Sequence, residues 1–309
     1  MDAILQLLPQ TLVNGLTLGS VYALIALGYS LVYGVLRLLN FAHGDIYMLG
    51  AYVAYGVFAL LFSKEQVILP AGLLIGLMLV MAMLGAGLTS VAVERFAYRP
   101  LRRAPRIAPL ISALGVSFVL QNLVQITVSP KPLSFGSGTL IPTSAALPLG
   151  AGQIHLSRFL VLGVTLLLMV ALTWFVRGTR LGRAMRAVAQ DMDAAAMMGV
   201  DVDRVIMAAF FIGAALAGAG GVLVGIVFFS IQHTMGFLAG LKGFIAAVLG
   251  GIGNVPGAVL GGLVLGLAES FTSVYLSATF RDVIAFLLLI LILLIRPNGL
   301  LGKAMVQKV

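Results

Sequence analysis

The stretch Thr11–Leu36, TLVNGLTLGSVYALIALGYSLVYGVL, runs for 26 residues without one charged side chain. A helix needs about 20 apolar residues to cross the ~30 Å hydrocarbon core of a bilayer. Membrane-crossing strands alternate apolar and polar residues over about ten positions, and this run does not. It therefore reads as a transmembrane helix, which satisfies its own backbone N–H and C=O groups where lipid offers no partner. Five similar runs follow: Asn40–Phe62, Ile68–Val93, Ile107–Val128, Arg158–Val176 and Val205–Phe229. Two shorter pieces broken by glycine, Met235–Ile252 and Pro256–Leu276, precede a last run, Asp282–Ile295. The predicted fold is all-α, a polytopic transmembrane helical bundle of about seven to nine spans with broken or re-entrant helices. Residues 1–309 form a single transmembrane domain.

Composition agrees with this reading. Apolar residues make up 61% of the chain and charged residues 9%, where a soluble domain has roughly 45–50% and 25%. So few charges cannot cover a water-facing surface, and most of the exterior must face lipid. The 37 glycines among 309 residues lie largely inside the apolar runs, where small residues let helices approach closely. The spaced pairs Gly15/Gly19, Gly72/Gly76, Gly221/Gly225, Gly257/Gly261 and Gly262/Gly266 fit such packing. With no cysteine, a disulfide scaffold, a thiol nucleophile and a thiolate metal site are excluded. The first ten residues carry no Lys or Arg, so no cleavable signal peptide is expected.

The net charge of +9 is explained by topology. Arg37, the five arginines of Glu94–Arg106, the five of Arg177–Arg204, and Arg296, Lys303 and Lys308 account for 14 of 19 cations. Nine crossings place all of them on one side, the cytoplasmic one by the positive-inside rule. The remaining five, Lys64, Lys131, Arg158, Lys242 and Arg281, fall on the other. The N-terminus is then outside and the C-terminus cytoplasmic. No basic, aromatic-interleaved soluble domain exists, so nucleic acid is not an expected partner. Two loops are long. Ser129–Ser157 is external and rich in Pro, Gly and Ser, either closing over the bundle or offering a docking surface. Arg177–Arg204 is cytoplasmic.

This cytoplasmic segment is built to be helical. Alanine and methionine dominate Arg183–Met198, and both are strong helix formers. Gly199 suits a helix C-terminus, and Asp201 and Asp203 suit the start of the next helix. One short helix ending at Gly199 is expected. Ala184, Ala187, Ala194, Ala195 and Ala196 give it a flat surface, and Arg183 and Arg186 share a face. It is either an interfacial helix resting on headgroups or a docking helix for a cytoplasmic partner. The acids at 191, 193, 201 and 203 would be repelled by anionic lipid, which favours the partner.

Ionisable residues inside the membrane are costly and therefore point to function. His43-Gly44-Asp45, just after Asn40, interrupts an apolar run. It is either an interfacial turn with a His–Asp contact or an unwound pathway or gate element. Glu269 either makes a hydrogen bond within the bundle or lines a path for an ammonium group. Gly250–Gly262 contains six glycines and Pro256, so no unbroken helix runs through it. Gly251, Gly253 and Asn254 there form either a tight interhelical turn or a broken helix whose free backbone groups suit a zwitterion. His155 and His233 read as exposed or interfacial. One His and one Asp are too few ligands for a metal, and no metal or cofactor is expected. The chain has no Gly-x-x-x-x-Gly-Lys-Ser/Thr loop, no His-Glu-x-x-His and no Gly-x-Ser-x-Gly, so neither ATP binding by that loop nor hydrolytic chemistry is indicated. Transport must be powered by another polypeptide or by an ion gradient. The second option would use Asp45 and Glu269 as H⁺ or Na⁺ sites in a secondary transporter of a small zwitterion.

Several segments carry a resemblance. Thr179–Val200 with Phe210–Gly221 resembles the cytoplasmic loop and following span of the branched-chain amino acid permease family. Asn14-Gly15, Gly19–Leu24 and Ala26-Leu27-Gly28 look like that family's first span. Asn40–Asp45 with Met48–Tyr52 looks like its second, and Leu249–Gly257 with Gly261 like its late glycine-rich turn. The likeness runs nearly end to end and is greatest to the first of the two permeases in such systems. It implies a subunit of an ATP-driven ABC importer in the bacterial inner membrane, carrying leucine, isoleucine, valine or related solutes. The implied partners are a second homologous permease, two cytoplasmic ATP-binding-cassette ATPases and a periplasmic binding protein. On that resemblance Arg183–Gly199 is the coupling helix, meeting an ATPase through Arg183, Arg186, Ala187, Asp191, Ala195 and Gly199. Asn40, His43, Gly44, Asp45, Gly251, Gly253, Asn254 and Glu269 are the candidate pathway residues.

Overall fold

The computed structural model describes residues 2–63, 66–67, 69–102, 104–105, 107–136, 140–142, 145–149 and 152–302. Lys64, Arg103, Arg106, Lys303 and Lys308, counted above, lie outside the described residues. The helices are α1 (Asp2–Leu36), α2 (His43–Leu61), α3 (Ala71–Val93), α4 (Ile107–Thr127), α5 (Leu156–Gly178), α6 (Arg180–Gln190), α7 (Met192–Met197), α8 (Val202–Phe228), α9 (Met235–Gly250), α10 (Val255–Tyr275) and α11 (Arg281–Ile295). Two antiparallel hairpins, β1 (Phe62–Ser63) with β2 (Gln66–Val67) and β3 (Ala146–Leu149) with β4 (Gly152–His155), sit in the connections. Among the described residues, eight helices are long and apolar enough to span a bilayer, and α9 is shorter.

The order of burial sets the architecture. The apolar centre of α1 is 89% buried and that of α8 78%, against 17% for α5 and 6% for the last span. So α1 and α8 form the axis, and α5 and α11 carry much of the exposed apolar surface. Small residues let the axis pack. A Cβ on Gly19 would lie 2.8 Å from the Leu263 Cα, and one on Gly15 would lie 2.9 Å from the Leu267 Cα, so α1 and α10 meet backbone to backbone. The pairs Gly257/Gly261, Gly262/Gly266 and Gly221/Gly225 are likewise packed against neighbours, but Gly72 and Gly76 face open space. Small-xxx-small spacing on α3 therefore does not mark a helix contact.

Two chain reversals organise the bundle. α1 ends at Leu36 and α8 at Phe228, and the residues that follow them, Arg37 and Phe229, both have φ of 53°. These are the only non-glycine residues with positive φ among those described. After each, five non-helical or turn residues lead back into the bundle, where α2 and α9 begin. The His43 ring touches Gly28, eight residues or ~12 Å inside the end of α1 at the usual helical rise. The first turns of α2 and α9 meet there, since a Cβ on Gly240 would lie 2.7 Å from the Gly44 Cα. Residues 38–42 thus turn back into the bundle, and the apolar run predicted as a helix from Asn40 starts three residues later.

The two halves repeat. Leu24, Gly28, Leu31, Val32, Val35 and Gly44 recur as Leu216, Gly220, Leu223, Val224, Val227 and Gly236, each 192 positions on. Arg37 and Phe229 have the same offset. Gly28 packs on Gly213 while Leu24 packs on Gly220, so α1 and α8 run antiparallel. α1 pairs with α10 as α8 pairs with α3. This is an inverted repeat, a construction seen in many transporters.

Candidate functional site

Where α2 begins, polar side chains gather in the interior. The Tyr98 hydroxyl donates to the Asn40 Oδ1 at 2.9 Å. His43 is buried with its ring edge-on to Tyr29, centroids 4.7 Å apart, and its Nε2 has no hydrogen-bond partner. Asp45 is also buried, and accepts from Ser117 and, at 3.0 Å, from the Gln121 Nε2 on α4. The His–Asp contact allowed by the sequence is not made, because the Asp45 carboxylate is taken up by α4. Gly44 supplies the close approach to α9. Asn40, His43, Gly44 and Asp45 thus form one cluster well inside the bundle.

Glu269 lies in a second network. It is fully buried, accepts from the Tyr22 hydroxyl at 2.9 Å and pairs with the Lys242 Nζ at 3.0 Å. Lys242 also reaches the Asp282 Oδ1 at 2.8 Å. Lys242, expected among the external cations, is instead part of α9 with a largely buried side chain. A buried charge is tolerated when it is paired and hydrogen-bonded, and these partners come from α1, α9, α10 and α11.

Gly251, Gly253 and Asn254 belong to neither cluster. Gly251 and Gly253 take positive φ of 103° and 88° between α9 and α10, at the end of the bundle where Gly34 of α1 lies nearby. The chain after α11 occupies the freed backbone groups, with Leu300 N–H donating to Leu249 C=O and Leu301 N–H to Gly250 C=O. The Asn254 Nδ2 donates to Leu301 C=O at 2.6 Å. Of the two readings for this region, a tight interhelical turn is the one observed.

The basic end carries the third candidate region. Thr179 caps α6 by accepting from Gly182 N–H at 3.0 Å. Asp191 breaks the expected single helix into α6 and α7, because its side chain accepts from Ala194 N–H at 2.9 Å and starts a new turn. Gly199 has φ of 83° and Asp201 caps α8 through Arg204 N–H at 3.1 Å. Asp203, read as a second cap, instead pairs with Arg99 and Arg102, and Arg102 also holds the buried Glu94. Arg183 and Arg186 donate to the Gly178 and Val176 carbonyls, the unpaired C-terminal groups of α5. Arg183, Arg186, Asp191 and Gly199 are exposed, Ala187 is half-buried, and Ala195 is buried against its own bundle. Ala195 therefore does not lie on the outward face. That face instead displays Met197 and Met198, 82% and 85% exposed, which helix propensity alone did not single out.

Residues 11–293 match the family described as the branched-chain amino acid transport system permease component. The chain belongs to the branched-chain amino acid permease family. It is 45% identical over 304 residues to the high-affinity branched-chain amino acid transport system permease protein LivH of Escherichia coli K12, covering 97% of each chain. Against LivH of Salmonella typhimurium the identity is 44% with the same coverage. BraD of Pseudomonas aeruginosa, a permease protein of a system with the same description, is 44% identical over 307 residues, again 97% of each. These relatives give the ion-coupled alternative no support.

Proposed function

We propose that this chain is the membrane-spanning permease subunit of an ATP-driven ABC importer for branched-chain or related hydrophobic amino acids. It lies in the bacterial inner membrane with its basic end and C-terminus in the cytoplasm, following the positive-inside rule. Membership of the branched-chain permease family, with 44–45% identity over 97% of the chain, carries the reading. The chain works with a second homologous permease, two cytoplasmic ATPases that hydrolyse ATP, and a periplasmic binding protein that delivers the amino acid. Without a phosphate-binding loop of its own, it performs no ATP chemistry.

The α6–α7 unit is the coupling element. Its outward methionines are adaptable apolar side chains suited to a groove on a partner. Thr179 joins it to α5 and Asp201 joins it to α8, so a push on it acts on a helix of the central axis. Asn40, His43, Gly44 and Asp45 form a pathway or gate element where the halves meet, and Glu269 belongs to the same polar interior.

The test is to purify the tagged chain in mild detergent, identify its companions by mass spectrometry, and assay ATP-driven leucine uptake in proteoliposomes. A second permease and two ATPases are expected. Replacement of residues 183–199 by a Gly/Ser linker is expected to leave membrane insertion intact and to abolish ATPase binding and uptake. Full uptake by that variant would refute the coupling role. Uptake without ATP by the chain alone would refute the importer.

A further inference from the structure

A cavity of about 260 Å³ opens between α1, α5, α8, α10 and α11, in the half of the bundle away from the basic loops. Its polar lining is unusual in charge. Arg158 and Arg281 both face it, and no acidic residue does. The acids nearest in sequence, Glu269 and Asp282, are already engaged by Lys242. The Arg158 Nη1 is buried without a hydrogen-bond partner, and so is the Asn14 Oδ1, which also lines the cavity. An unpaired donor and an unpaired acceptor beside one cavity are both costly to leave unmet in a membrane interior.

The hydroxyls complete the pattern. The Thr17 hydroxyl donates to Val13 C=O at 2.7 Å and the Ser270 hydroxyl to Thr11 C=O at 2.8 Å. With their protons committed to backbone, both offer only lone pairs. Ser273 donates to Glu269 C=O and accepts from Arg281, which fixes that guanidinium at the cavity edge. The lining therefore combines guanidinium donors with three acceptors, Asn14, Thr17 and Ser270. Val21, Val224, Val227 and Val274, with Leu18 and Phe228, form the apolar remainder. An ammonium group has three donors and a carboxylate pairs best with a guanidinium fork.

We propose that this cavity is an intramembrane site for a free α-amino acid with an aliphatic side chain. Arg158 and Arg281 take its carboxylate, Asn14, Thr17 and Ser270 take its ammonium group, and the valines take its side chain. The proposal rests on the importer reading and adds where, within this one subunit, the solute is held.

The experiment uses the complete transporter in proteoliposomes and nanodiscs. Arg158→Gln and Asn14→Leu are each expected to cut leucine uptake at least tenfold while the complex still assembles and hydrolyses ATP. Independently of any variant, a diazirine analogue of leucine photolysed in the wild-type complex is expected to label residues 17–21 or 224–228. Wild-type uptake in both variants, or labelling confined to other segments, would overturn the site and leave the importer reading standing. Native mass spectrometry covers the other source of an oxyanion. Loss of a tightly held phospholipid from Arg158→Gln with uptake unchanged would mean a lipid phosphate occupies the site, and would also overturn it. A wild-type complex that carries no leucine at all would instead refute the importer reading itself.

Discussion

The starts of α2 and α9 share a backbone and differ in chemistry. Each follows a long axial helix, a left-handed residue and a short return into the bundle, and each places a glycine, Gly44 or Gly236, at the crossing. Yet α2 opens with His43 and Asp45 tied to α1 and α4, while α9 opens with Met235 and Phe237 in the corresponding positions. The charge on α9 comes later, at Lys242, which pairs with Glu269 and Asp282. Duplication of the framework has thus been kept where geometry demands it, and the polar groups have been placed separately in the two halves.

The strongest way to break this comparison is at the crossing itself. A Cβ at Gly236 would lie 2.6 Å from the Gly44 carbonyl oxygen and 2.7 Å from the Asp45 Oδ1. Gly44→Val and Gly236→Val are both expected to destroy the folded bundle, since forced overpacking costs about 1–3 kcal/mol or more per site. The readout is monodisperse protein recovered after detergent extraction. Tolerance at one site alone would mean the halves are not equivalent there.

A smaller effect is expected where the chemistry diverges. Asp45→Ala leaves Ser117 and Gln121 without their acceptor, a loss of about 1.5–3 kcal/mol for hydrogen bonds to a charged group. The equivalent Phe237→Ala, at an exposed position, is expected to cost less than half as much. Thermal unfolding in detergent compares them, and equal losses would show that Asp45 has no special place in its half. The least effect belongs to the reversals. Arg37→Gly removes a left-handed strain of roughly 1–2 kcal/mol, partly offset by the entropy of glycine, so a net gain of up to about 1 kcal/mol is expected. A marked loss would mean that the Arg37 side chain, not the backbone, holds the turn.

Much of the framework was legible because it is local. Apolar runs, the glycine at 199 and the cap at Asp201 depend on neighbours a few residues away. What escaped depends on facing direction or distant partners. Lipid-facing and core-facing positions are both apolar, so Gly72 and Gly76 could not be told from Gly15 and Gly19. Leu38-Leu39-Asn40-Phe41 carries no charge to mark that it is a return segment and not helix. Lys242 was counted with the external cations because its partners, Glu269 and Asp282, are far along the chain. Ala195 and Met197 are equally good helix formers, and only the fold decides which one turns inward. The repeat at a spacing of 192 was present in the letters, but its few identities gain meaning only once both reversals are seen.

The tail that binds the α9–α10 turn has a consequence for how the protein is made. Residues 298–302 follow every membrane pass in the sequence, yet they supply the partners of the last carbonyls of α9, Leu249 and Gly250, and of the Asn254 amide. During synthesis all the helices can be in place while that turn still lacks its seal. A chain terminated just before Asn298 would have its full set of passes and an unfinished joint between two of them.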